Sequence, residues 1–189
     1  MHEGNRAVFI YSDLEESVAS FLKSPASRRE ARAFLAIMQN LLPPDMPLAE
    51  CRQLTDAQVA ALLWALQMAV YSELAARRYR GRLGALNCNG LLDDPATTLV
   101  SVARHLGIEC RAAEVDAVLS GSAFTLHAKG RDRAFSRDDR RADMDRLAER
   151  YAGEIRVASE WVRGLPLWRR VHGSPPAPIG AGAAVKNRS

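Results

Sequence analysis

Cysteine is scarce in this sequence and nowhere paired. Cys51, Cys88 and Cys110 are odd in number and widely spaced, with no CxxC pair and no nearby histidine. That excludes a disulfide framework and a zinc site of the usual spacing, and points to a reducing, cytoplasmic setting. Aromatic residues are also few, at 6%, so there is no set of rings on which nucleic-acid bases could stack. No acidic residue follows Glu160, whereas Arg163, Arg169, Arg170, Lys186 and Arg188 do. Of the formal charge of +4, that tail contributes +5, leaving residues 1–162 at −1. A nearly neutral folded part argues against nucleic acid as a partner. The opening MHEGNRAVFIY has no basic stretch leading into a long apolar run, so it is not a secretory signal. The most apolar segment, residues 57–76, is interrupted by Gln58, Gln67 and Glu73. It reads as a buried helix, because a membrane span needs about 20 mostly apolar residues. Neither a GxSxG elbow nor an internal repeat is present, which removes the usual serine hydrolase and solenoid readings.

What is there reads as one domain over residues 1–164, followed by a basic Pro/Gly/Ala-rich tail, 165–189, expected to be disordered. Val8–Tyr11 is a run of β-formers without polar interruption, the pattern of a strand covered on both faces. Ser12 and Glu15 have capping-box spacing for a helix carrying Leu14, Val18, Phe21 and Leu22, which Pro25 closes. A second helix is expected over 27–42. Thr55 starts a long helix through Arg78 that buries Leu62, Leu66, Val70 and Leu74. A second strand is expected near 84–88. Asp94-Pro95 then gives an N-cap followed by proline at the first helical position, for a helix with Leu99, Val102, Ala103 and Leu106 inward and Gly107 at its end. A short helix over 112–119 and an irregular basic loop, FTLHAKGRDRAFS, precede a last long helix from Ser136 to Gly164. The fold class is therefore α/β and mostly helical, with a small parallel sheet.

Charge clusters supply the remaining candidates. His127, Lys129, Arg131 and Arg133 form either an anion site, with arginine forks suited to phosphate oxygens, or a solvated loop partly neutralised by Asp132. Arg77, Arg78, Arg80 and Arg82 close the long helix, where cations favour the dipole. His105 suits a helix C-terminus in the same way. Arg137, Arg140, Arg141 and Arg146 alternate with Asp138, Asp139, Asp143 and Asp145, as in a solvated helix start laced by ion pairs within the helix. Trp64, Trp161 and Trp168 read as packing residues.

The order of strand, turn and helix, then a second strand leading into "LLDDPATTLVSVARHLGI" and a basic loop before a final helix, resembles the C-terminal two-thirds of sulfotransferase-like P-loop proteins. The similarity runs over residues 7–162, and its most specific part is the DDP segment at Asp93, Asp94 and Pro95. The resemblance implies part of a three-layer P-loop fold and a donor, 3′-phosphoadenosine 5′-phosphosulfate. It implies contacts from Ser20, Lys129 and Arg131 to a 3′-phosphate. Aligning the family serine with Ser20 puts Ser12 where the phosphate-binding arginine stands, and Asp13, Glu15 and Glu16 crowd the first helical turn. The opening turn therefore reads as a self-capped connection. The 189 residues contain no glycine-rich P-loop. The expectation is a truncated or catalytically incomplete relative with no catalytic residue of its own, binding an adenosine 3′,5′-bisphosphate-like anion. A truncated sheet also implies homodimer formation through the exposed edge of Val8–Tyr11. The competing reading is a non-enzymatic helical interaction module, in which the long helices and the exposed half of an incomplete sheet bind a protein partner.

Overall fold

The computed structural model describes residues 5–42, 51–127, 130–134, 136–172 and 179. The chain is mostly helical with a small parallel sheet. The elements are β1 (Ala7–Tyr11), α1 (Leu14–Leu22), α2 (Pro25–Ile37), α3 (Asp56–Glu73), a π-helical turn (Leu74–Arg78), β2 (Leu83–Asn87), α4 (Cys88–Asp93), α5 (Pro95–Leu106), α6 (Ala112–Ser120), α7 (Ser122–Thr125), β3 (Leu126–His127), β4 (Gly130–Ala134), α8 (Arg137–Arg150), α9 (Ala152–Arg163) and α10 (Leu167–His172).

Helix α3 is the axis of the fold. Its start is a full capping box: Thr55 Oγ1 accepts the Gln58 N–H at 3.2 Å, and Gln58 Oε1 accepts the Thr55 N–H at 3.0 Å. Alanines at 57, 60, 61, 65 and 69 let neighbours approach, and Val59, Leu62, Leu63 and Leu66 fill the spaces between them. Helices α1, α2, α9 and α10 all pack on it. A segment of this length and hydropathy could cross a membrane on composition alone, but here it is mostly buried inside the protein. The sheet joins this core through Phe9, whose ring stacks on Tyr71 of α3 with centroids 4.6 Å apart.

β1 and β2 pair in parallel, in register from Ala7↔Leu83 to Tyr11↔Asn87. β1 packs on the core with one face and is only partly covered by a helix on the other, short of the doubly buried strand expected from its composition. Phe9 and Tyr11 face the core, while Ile10 is 58% exposed. On the other side, α5 is tied to the start of β1, since His105 Nε2–H donates to the Ala7 carbonyl at 3.0 Å and Arg6 donates to the His105 carbonyl at 2.9 Å. Asp94 caps α5 through the Thr97 N–H, and Gly107 ends it in the left-handed region at φ 74°. The inward stripe of α5 is only half-buried, because it rests on a sheet of two strands; Pro95 and Thr98 are its buried residues.

Several expectations are corrected. Pro25 does not close α1 but occupies the first turn of α2, with Ser24 Oγ accepting the Ser27 N–H. The α-helical part of α3 stops at Glu73, where the chain widens into the π turn closed by the Tyr79 N–H on the Leu74 carbonyl, 2.8 Å. The segment expected as an irregular basic loop contains an antiparallel hairpin, β3 with β4. The last long helix is two, broken at Tyr151, whose hydroxyl accepts from Arg28. Order extends past 164: Leu167 and Val171 of α10 are buried in the core, and the rest of the expected tail, Ile179 excepted, lies outside the described residues.

Two effects on stability can be measured. Leu62→Ala should cost about 2–5 kcal/mol by urea unfolding, because Leu62 is fully buried among close-packed neighbours that relax only partly into the cavity left. Tyr71 is held in its neutral form: burial first, and Tyr11 second, push its pKa from the ordinary 10 up to about 12, and its buried hydroxyl has no hydrogen-bond partner. The unfolded chain therefore releases this proton before the folded one. Stability from this source is complete below pH 10 and declines as pH rises to 12. Melting curves across this range should show the decline, and Tyr71→Phe should reduce it.

Candidate functional site

The carboxyl ends of β1 and β2 lie side by side, and the segment leaving each strand shapes the site. After β2 the chain enters α4 directly. Asn87 serves as its cap, its side-chain oxygen accepting the Asn89 N–H at 2.8 Å. The amide of Asn87 donates to Asp13 Oδ1 at 2.8 Å, and that of Asn89 to Asp13 Oδ2 at 3.5 Å. Asp13 stands at the N-cap of α1, yet its carboxylate is drawn across to β2 and makes no cap bond. Glu15 is drawn away to Arg163. The expected Ser12–Glu15 capping box is thus replaced, and the self-capped turn is corrected: among the described residues, no side chain caps the N-terminus of α1.

The start of α8 closes the site from the side. Arg137 donates to the Leu92 carbonyl at 2.7 Å and Arg141 pairs with Asp93 at 2.8 Å. Arg140 reaches the Cys88 sulfur at 3.9 Å, and among the described residues it has no carboxylate within ion-pair distance. These arginines reach out to α4, whereas the sequence pattern implied pairing inside the helix. Arg146–Asp143 keeps that form. Between α1, α4 and α8 lies a cavity of about 570 Å³, of a size that holds a nucleotide. Glu16, Asp93, Asp138 and Asp145 line it together with Arg137, Arg140 and Arg141. One oxygen of Glu16 is buried there without a hydrogen-bond partner.

The lining carries both signs, and this decides what fits. A bare anion meets four carboxylates for three guanidiniums. A ligand offering an anionic group to Arg140 and a hydroxyl or amine donor to Glu16 satisfies both unmet groups. No group of three His, Cys, Asp or Glu side chains among the described residues is placed to hold a metal.

Of the residues expected from sequence, Ser20 alone has a described side chain. Ser20 is exposed one turn beyond Glu16 on α1 and does not line the cavity. Arg131 lies on β4, and Lys129 lies outside the described residues. The β3–β4 hairpin packs principally with α7, not with α1. Sequence reading missed Arg140, Arg141 and Glu16 as site residues. The available signal was the crowding of Arg137, Arg140 and Arg141 into the start of a helix. Compared with family models, curated proteins and solved structures, the chain matches none.

The network makes a specific demand on Asp13. Asp13→Ala should leave α1 helical, because no cap bond is lost, while loosening the junction of the two strand ends. Amide exchange at residues 87–89 should rise while that of α3 stays unchanged.

Proposed function

We propose that this chain is a sulfotransferase-like unit that binds an adenosine 3′,5′-bisphosphate-type anion at the carboxyl ends of its parallel strands, without carrying out sulfuryl transfer. The observation that carries the reading is Arg140, a guanidinium facing a nucleotide-sized cavity with a thiol as its partner and, among the described residues, no carboxylate within ion-pair distance. In parallel α/β folds the crevice beyond the strand carboxyl ends is where ligands bind. A bisphosphate supplies the anion for Arg140, and its ribose or exocyclic amine supplies a donor for Glu16. The three free cysteines accord with a reducing compartment.

The residues present do not fit the complete sulfuryl donor. Its 5′ end needs successive backbone N–H groups in a glycine-rich loop. The 189 residues contain no such loop.

A second reading, the interaction module, is favoured by the outer edge of β1. In the parallel register the backbone groups of Val8 and Ile10 point away from β2, and Ile10 is among the most exposed large apolar residues described. Such an edge invites pairing with a second copy.

Calorimetric titration with adenosine 3′,5′-bisphosphate tests the first reading. Binding should be saturable and weak, near millimolar, or about 4 kcal/mol. Arg140→Ala should abolish it. The pair Lys129→Ala and Arg131→Ala, together with Ser20→Ala, should leave it intact; loss in these variants instead would move the site to the hairpin. Absence of binding at millimolar nucleotide would remove the reading. Dimerisation in light scattering, relieved by Ile10→Lys, would support the module.

A further inference from the structure

Strand β2 has an outer edge as well, and it is occupied. The Ala7 N–H donates to the Arg82 carbonyl at 2.8 Å, so in the parallel ladder Gly84 directs its backbone groups toward β1 and Ala85 directs its own outward. On that outward side the Ile179 N–H donates to the Ala85 carbonyl at 2.7 Å. The Ile179 side chain fills the space that a residue other than glycine would need at position 84. A Cβ there would collide with Ile179 Cδ1 and would lie 2.7 Å from its Cγ1 and 3.0 Å from His105 Nε2. The wall of this notch is itself fixed, since His105 is bonded to Ala7 and Arg6. Three of the six residues before Ile179 are proline and carry no backbone N–H.

We propose that the outer edge of β2, with its Gly84 notch, is a docking site for the chain's own C-terminal segment around Ile179, held there as a reversible latch over a strand edge. The occupant is chosen by shape and by backbone: a β-branched side chain enters a hole shaped by glycine and histidine, and its N–H meets the outward carbonyl of Ala85. Among the described residues the contact is one side chain and one hydrogen bond, small enough to open without unfolding the core. Once open, it leaves an unpaired strand edge to which an extended peptide can add.

The experiment uses the full chain labelled with nitrogen-15 and its Ile179→Asp variant. In the variant, the Gly84 and Ala85 amide resonances should shift, and amide exchange at Ala85 should rise about ten-fold or more. A synthetic peptide of residues 173–189, added at millimolar concentration, should reverse those shifts in the variant and leave the unsubstituted chain unchanged, because the tethered copy already holds the site. Gly84→Ala should release the segment in the same way, and the peptide should not reverse it; if that variant fails to fold, the Ile179→Asp measurement stands alone. Unchanged resonances at 84 and 85 in Ile179→Asp would overturn the proposal. So would peptide shifts that are equal in both chains or that fall elsewhere. A dimer of the unsubstituted chain that Ile179→Asp dissolves would place the segment on a second copy and overturn the latch within one chain.

Discussion

Everything in this fold depends on burying α3. The helix has almost no polar face, so it cannot lie on a surface. Its alanines at 57, 60, 61, 65 and 69 bring α1, α2, α9 and α10 close enough to cover most of it. Hydrophobic burial of this kind is non-directional, so orientation has to come from elsewhere. It comes from a few directed contacts at the margin of the core. Trp64 donates to the Ser12 carbonyl at 2.8 Å and stacks on Trp168, Arg28 holds the Leu22 carbonyl and the Tyr151 hydroxyl, and Tyr71 stacks on Phe9. The Trp64 and Tyr71 contacts fix the position of β1, and with it the place where the strands end.

The cleft is the reverse case, held open by polar groups in directed contacts. Asp13 serves β2 in place of its own helix, and Arg137 and Arg141 serve α4 in place of their own neighbours. Each such exposed pair contributes little to stability on its own, typically about 0–1 kcal/mol. Together they set the distance between α8 and the strand ends, which leaves Arg140 and Glu16 facing a shared space with unmet hydrogen-bonding capacity.

Local signals in the sequence are legible where the cause is local. Thr55, Asp94 before Pro95, and Gly107 each mark a helix end through groups within a few residues, and each stands where the sequence puts it. The two strands and their parallel pairing are legible from a β-forming run on either side of helical segments. The site is not. Whether Asp13 caps α1 or crosses to Asn87 depends on a residue 74 positions away, and no periodicity records that. The same holds for Arg141, which meets Asp93 across 48 positions, although i to i+4 spacing inside α8 offered it nearer partners. The hairpin of β3 and β4 reads as a loop in the sequence because its few residues carry charges rather than β-formers.

The π turn at Leu74–Arg78 adds, in effect, one residue to a helical turn. Beyond it the side chains no longer keep the phase of α3. Tyr71 and Ala75 still face the sheet, while Tyr79 emerges at the surface with the guanidiniums of Arg78 and Arg82 5.6 and 5.7 Å from its ring. An apolar core helix thereby ends as a basic collar within a single turn, without proline, and with glycine only afterwards, at Gly81, where φ is 71°. The extra residue works as a phase shifter. It lets one continuous helix serve the interior of the protein and then the solvent, and it sets the angle at which β2 returns to meet β1.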